Sequence, residues 1–141
     1  MLAVDLNTYA YLYWHKFRHH RASTAKTLAI FPPRPYLFAA SNRSSADSLS
    51  YWYRPNTSRT ELPILFLHGI GVGLYPYMQF LKELNSVPRK SDGDIGILAI
   101  EILPISSRIT SPIARKEVMC EQIRNVLRQQ GIDQFVLVSH S

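Results

Sequence analysis

Cysteine is almost absent from this sequence, and Cys120 is the only one. A single cysteine excludes an intramolecular disulfide and any metal cluster built from several cysteines. The sequence also lacks an uninterrupted run of about 18 apolar residues, so it predicts no transmembrane helix. No Gly-Lys-Ser/Thr phosphate loop is present. We therefore predict neither a bound metal nor a cofactor.

Acidic residues are missing from much of the N-terminal part, since residues 6–46 contain none. Residues 1–46 hold six Lys or Arg and one acid, whereas residues 47–141 hold ten and nine, so the net charge of +6 belongs mainly to the N-terminal segment. A nucleic-acid-binding domain would carry such charge on its folded face, and we predict no nucleic-acid partner. At 141 residues and 46% hydrophobic content, the chain is one globular domain or part of one.

Residues 1–22 begin with a predicted amphipathic helix. Its apolar residues recur at spacings of three or four: Leu2, Leu6, Tyr9, Tyr13 and Phe17. Three interpretations stay open: a helix packed on the rest of the protein, a peripheral membrane contact through residues 1–30, or a targeting peptide. A secretory signal fits poorly, because Asp5 interrupts the apolar stretch and the positive charges follow it. An intracellular location is therefore expected, with membrane association or organelle targeting left open.

The next segment is predicted to be irregular. His19 and His20 are expected to be solvent-exposed, since nothing at metal-ligand spacing joins them. Residues 23–47 contain Pro-Pro-Arg-Pro and a polar Ser/Asn stretch, which favour an extended connector. We accordingly divide the chain into an N-terminal extension with its connector, residues 1–47, and a folded domain, residues 48–141.

Strands and helices alternate in the predicted folded domain. An early antiparallel strand over residues 48–54 is predicted from its aromatics, with Leu49, Tyr51 and Tyr53 on one face. Buried strands and helices then follow over residues 64–67 (strand), 74–86 (helix), 95–103 (strand), Ser111–Pro112 to Gln130 (helix) and 134–138 (strand). Glu101 lies inside the second of these strands and is predicted to reach solvent near its end. This order predicts an α/β fold whose sheet is mainly parallel, with helices flanking it.

A glycine-rich loop, His68-Gly69-Ile70-Gly71, follows the strand over residues 64–67. Backbone N–H groups can reach an oxyanion closely only where side chains are absent, which favours glycine at such a loop. A dinucleotide-binding loop would need a third glycine at position 74, which is Leu. A plain tight turn between a strand and a helix is the competing interpretation.

The strand over residues 134–138 leads into Ser139-His140-Ser141. With the His-Gly loop, this ending resembles the α/β-hydrolase family, of the broad AB hydrolase-1 type, over about residues 48–141. The resemblance implies that Ser141 is the nucleophile of an esterase-like or lipase-like serine hydrolase with a small-molecule acyl substrate. It also implies an oxyanion hole at Gly69 and Ile70, supported by His68, Gly71 and His140.

The same resemblance implies that the chain is an N-terminal portion of the fold. In that family the acid and the catalytic histidine follow the nucleophile, and Ser141 is the last residue here. We therefore expect the 141-residue chain to be inactive at Ser141 and the strand over residues 134–138 to be an exposed apolar edge. The alternative function is that of a non-catalytic, membrane-associated or partner-binding protein.

Overall fold

The fold is built on a six-stranded mixed sheet flanked by helices. The computed structural model describes residues 2–84, 93–110 and 112–141. The strands are β1 (Arg18–Arg21), β2 (Asn42–Arg43), β3 (Ser50–Arg54), β4 (Ile64–Leu67), β5 (Ile97–Glu101) and β6 (Val136–Ser139). The helices are α1 (Leu2–Trp14), α2 (Thr24–Leu28), α3 (Leu37–Ala40), α4 (Met78–Glu83) and α5 (Lys116–Gln129), with short 3-10 turns at Tyr75–Tyr77 and Leu103–Ile105.

The strand order is β2-β1-β3-β5-β4-β6, and two of its pairings are antiparallel. Strands β5, β4 and β6 run parallel, as predicted, and β3 pairs antiparallel with β5, which confirms the early antiparallel strand. The α/β class is therefore correct. Three of the five strand pairings are parallel, so the sheet is mixed: β3 runs antiparallel to both of its neighbours, and β1 and β2 from the N-terminal segment, which the sequence did not predict as strands, extend the sheet beyond it.

The two faces of the sheet bury separate apolar clusters. All five residues of β5 are buried, as expected for a continuous apolar strand in the middle of a sheet. Ile97 and Ala99 pack towards α1 and α4, whereas Leu98 and Ile100 pack towards α5. The alternation of strand side chains thus fills two layers from one run of residues. Leu49, Tyr51 and Tyr53 share the α5 side, as the sequence predicts.

The N-terminal segment differs most from its prediction. The helix ends at Trp14, and residues 18–21 form β1 instead of continuing it. Contrary to prediction, His19 and His20 are buried, because β1 pairs with β3 inside the sheet. The face of α1 is also not the predicted one, since its buried residues are Asp5, Thr8 and Leu12, while Leu2, Leu6 and Tyr13 are exposed. A bidentate ion pair with Arg108 explains how Asp5 is accommodated.

The later helices are shorter than predicted. Residues 85 and 86, at the end of the first predicted helix, and the predicted N-cap Ser111 lie outside the described residues. Helix α5 begins at Lys116, since Arg115 has a non-helical ψ of 152°. It ends as predicted before Gly131, whose φ of 66° favours glycine. In the part of the chain that is described, no helix has both the length and the apolar character needed to cross a membrane.

Candidate functional site

The glycine-rich loop and the terminal serine lie at the same edge of the sheet. Strands β4 and β6 are parallel neighbours, with Leu67 paired with Ser139. One residue further, the His140 N–H donates to the Leu67 carbonyl oxygen at 3.1 Å. His68 and His140 therefore follow their strands at the same level, at the carboxyl end where open α/β sheets bind ligands.

Gly69 is in direct contact with the segment that carries the serine. A Cβ atom at position 69 would lie 2.9 Å from the His140 carbonyl oxygen and 3.0 Å from its Nδ1. The first distance is shorter than ordinary contacts of a Cβ, and a backbone atom cannot rotate away. The close approach of these two backbones therefore requires glycine at this position.

His68 holds the loop in place and is not available as a base. Its ring is buried, Nδ1 donates to the Gly69 carbonyl oxygen at 2.8 Å, and Nε2 accepts from the Ile102 N–H at 2.8 Å. The backbone donor fixes the proton on Nδ1. Burial lowers the pKa of His68, which favours this neutral form. The loop is thus tied to the residues that follow β5.

Ile70, whose N–H the resemblance assigns to the oxyanion hole, lies between two residues whose backbones are hydrogen-bonded. Gly69 accepts from the His68 ring, as described above. The Gly71 N–H donates to the Ile105 carbonyl oxygen at 3.0 Å, and the Ser107 hydroxyl donates to the Gly71 carbonyl oxygen at 2.8 Å. Ile70 itself is 88% exposed, so its side chain fills no cavity. The backbone at this position is therefore held by its neighbours and not by packing of the Ile70 side chain.

Ser141 is exposed at the end of β6, and the neighbouring histidine is engaged elsewhere. The His140 Nδ1 lies 2.9 Å from the Tyr77 hydroxyl, and the two rings are in contact at a centroid distance of 5.5 Å. Both sequence-predicted histidines of the site, His68 and His140, thus have other partners. Neither is assigned a role as base for Ser141.

A buried carboxylate, Glu101, is the feature that sequence reasoning missed. It was predicted to reach solvent, but it is only 7% exposed because β5 lies in the interior of the sheet. Four side chains donate to it: Arg34 at 3.2 and 3.3 Å, His19 at 3.0 Å, Ser50 at 2.8 Å and Trp52 at 3.1 Å. A Glu within a run of buried apolar residues was the available signal.

The charges in this cluster follow from its partners. Burial alone would raise the pKa of Glu101, but Arg34 first and His19 second outweigh it and hold that pKa well below its usual value. Burial also lowers the pKa of His19, against the opposing effect of Glu101. The cluster therefore contains a carboxylate, a guanidinium and a neutral imidazole at neutral pH.

The cluster continues from Glu101 to a serine. The His19 Nδ1 lies 2.7 Å from the Ser41 hydroxyl oxygen, on the opposite side of the ring from Glu101. Ser41 is half-buried, immediately before β2. Serine, imidazole and carboxylate are thus joined in a single hydrogen-bonded chain.

Among the described residues, no three His, Cys, Asp or Glu side chains lie close enough to share a metal ion. The chain matches no protein-family model, no curated protein and no solved structure. The resemblance to the α/β-hydrolases accordingly depends on the two motifs and their spacing. What the fold itself establishes is an α/β arrangement with a mixed six-stranded sheet.

Proposed function

We propose that the chain is part of a serine hydrolase of the α/β-hydrolase type, acting on the carbonyl group of an ester-like acyl substrate. Ser141 is the nucleophile, and the Ile70 N–H provides one donor of the oxyanion hole. The observation that supports this assignment best is the parallel register of Leu67 with Ser139, which brings both loops to one edge. The close approach of Gly69 to His140 supports it further.

The chemistry requires a proton acceptor for the Ser141 hydroxyl, because a serine without a base is a weak nucleophile. The hydroxyl oxygen attacks the acyl carbon, the base takes the proton, and the negative oxygen that forms is stabilised by backbone donors. In the family that the motifs resemble, the base and its acid follow the nucleophile. We therefore assign neither role to a residue of this sequence and expect no turnover at Ser141 in the 141-residue chain.

A serine-reactive fluorophosphonate probe tests this proposal. We expect a natural form that extends beyond Ser141 to be labelled at Ser141, and we expect the Ser141→Ala variant of that form to lose this adduct. The 141-residue chain should show no adduct at Ser141. An extended form that remains unlabelled at Ser141 would leave the chain a non-catalytic relative of the hydrolases.

One observation favours peripheral membrane contact as a second function. Helix α1 buries Asp5 and Thr8 but exposes apolar side chains: Leu2 at 50%, Leu6 at 46%, Tyr13 at 49% and Trp14 at 84%. Exposed Lys16 and Arg18 follow them, and aromatic rings beside basic groups suit an anionic lipid interface.

Tryptophan fluorescence can test this second function, because Trp14 is exposed and Trp52 is fully buried. Vesicles containing phosphatidylserine should shift the emission of Trp14 to the blue, and high salt should reverse the shift. The Trp14→Ala variant should sediment less with the same vesicles. If the emission and the sedimentation do not change on adding vesicles, the membrane function is excluded.

A further inference from the structure

We propose that Ser41, His19 and Glu101 form a second nucleophilic centre, separate from Ser141, which reacts with small aryl esters. The Ser41 hydroxyl oxygen lies 2.7 Å from the His19 Nδ1, and the His19 Nε2 lies 3.0 Å from Glu101 Oε2. Both distances lie within hydrogen-bond reach, which is the arrangement by which a carboxylate orients a base and the base activates a hydroxyl. All three residues are in the described chain, so this centre needs no residue beyond Ser141.

The protonation states in this cluster suit a base at His19. An ionised carboxylate only accepts hydrogen bonds, so Glu101 places the imidazole proton on Nε2. The Nδ1 lone pair is then free to accept the Ser41 hydroxyl proton. This assignment follows from the partners on the two sides of the ring.

The orienting carboxylate is itself rigidly held. Arg34, Ser50 and Trp52 donate to it from the connector and from β3. The His19 ring contacts Trp52 edge to face at a centroid distance of 4.9 Å. The base is thus positioned by packing and by hydrogen bonds before any substrate arrives.

Ser41 faces an open surface groove. The groove is lined by aromatic and polar side chains: Tyr9, Tyr13, Arg18, Ala39, Ser41 and Asn42. The guanidinium of Arg18 lies 4.5 Å from the centroid of the Tyr13 ring. Aromatic walls favour an aryl group, and the side chains of Arg18 and Asn42 add hydrogen-bond donors to the lining of the same groove. A small aryl ester is therefore the class of substrate that the groove suits.

The proposed reaction is acyl transfer by way of Ser41. Its hydroxyl oxygen forms a bond to the ester carbonyl carbon while its proton passes to His19 Nδ1. The bond to the aryloxide then breaks, and His19 returns the proton to the leaving oxygen. Water removes the acyl group by the same path. Because Arg34 shares the carboxylate, Glu101 stabilises the imidazolium less than an unshared carboxylate would, and we expect slow acylation.

Mass spectrometry can locate the site of reaction in the folded 141-residue chain. The motifs around Ser141 alone predict a chain that a fluorophosphonate leaves unlabelled, whereas we now expect an adduct at Ser41. Trypsin should release residues 27–43, in which Ser41 is the single serine, and Ser141 falls in a different peptide. Fragmentation distinguishes Ser41 from Tyr36 within that peptide.

Three variants complete the test. Ser41→Ala should abolish the adduct, whereas Ser141→Ala and Ser45→Ala, the latter at an exposed neighbour, should retain it. Circular dichroism checks that each variant is folded, and labelling of the wild-type chain should disappear in urea. An unmodified Ser41 in the folded wild-type chain, or an adduct there that persists in urea, would overturn the proposal.

The rate of labelling at Ser41 tests whether the Glu101 carboxylate positions the His19 base. Glu101→Gln keeps the shape of the side chain but removes its charge, and we expect the rate of labelling at Ser41 to fall by about 100-fold. An unchanged rate in a folded Glu101→Gln variant would show that the cluster is structural only. Because these measurements follow the adduct at Ser41, their failure leaves the function proposed for Ser141 untouched.

Discussion

At the scale of single residues, Gly69 sets how closely the two loops of the candidate site approach. Gly69→Ala should destabilise the fold by about 1–3 kcal/mol, because the new Cβ would meet the His140 carbonyl oxygen. Urea unfolding measures this. His140→Ala should not rescue Gly69→Ala, since the close contact is with the backbone, and full rescue would contradict the account.

Arg34 is the residue whose loss should cost most in the buried cluster. Arg34→Met leaves Glu101 without its guanidinium, and removing one partner of a buried ion pair costs about 3–5 kcal/mol. The matched control is Arg43→Met, whose pair with Asp47 is 4.0 Å long and exposed. That control should cost less than about 1 kcal/mol. Equal losses of unfolding free energy in the two variants would show that the cluster is not structurally important.

The buried histidines should make stability depend on pH. Burial lowers the pKa of His19, His20 and His68 from the ordinary 6.5, so the unfolded chain binds protons more readily than the folded one. The unfolding free energy should therefore be fully present above pH 6.5 and fall as the pH drops below it. The lowered pKa of Glu101 adds a further loss below about pH 4.5, its ordinary value.

Urea unfolding at several pH values between 8 and 4 measures that dependence. Histidine is the side chain whose ordinary pKa lies between pH 6 and 7, so a loss that begins in that range reports mainly the histidines. A free energy of unfolding that stays level or rises as the pH falls would contradict the burial of these rings.

At the scale of elements, β6 is the exposed edge that the sequence predicts. Val136 is 47% exposed and Leu137 is 57% exposed, on a strand paired on one side with β4. Exposed apolar edges promote pairing with other chains. Leu137→Lys should reduce self-association, seen as lower light scattering at high concentration, while Cys120→Ser, at an exposed position of α5, should not. No difference between the two variants would show that β6 does not drive association.

Elements also show where sequence patterns succeed and fail. Continuous apolar runs identify β4, β5 and β6 because such runs have few alternatives to a buried strand. The apolar spacing predicted helix α1 but not the face that it buries. That face depends on the ion pair of Asp5 with Arg108, two residues 103 positions apart. Spacing within a helix carries no information about such a distant partner.

At the scale of the whole molecule, the dependence on distant partners also explains why the sequence did not predict the buried cluster around Glu101. Only the fold brings its members together, since Glu101 lies in β5, His19 in β1 and Arg34 in the connector between α2 and α3. Their burial depends on β1 and β2 joining the sheet, which the basic composition of residues 1–46 did not indicate. The placement of the Gly69 loop beside the segment that leads to Ser141 was predictable, because each follows directly from a recognisable strand.

The side-by-side placement of the two loops is the central claim, and an NMR measurement tests it most directly. Nuclear Overhauser contacts between the Gly69 α-protons and the amide protons of His140 and Ser141 report on that placement. We expect them to be present, together with the contacts of a parallel β4–β6 pair in which Leu67 lies beside Ser139. Their absence in a chain that still shows the β4–β5 contacts, or an antiparallel β4–β6 pattern, would contradict the account.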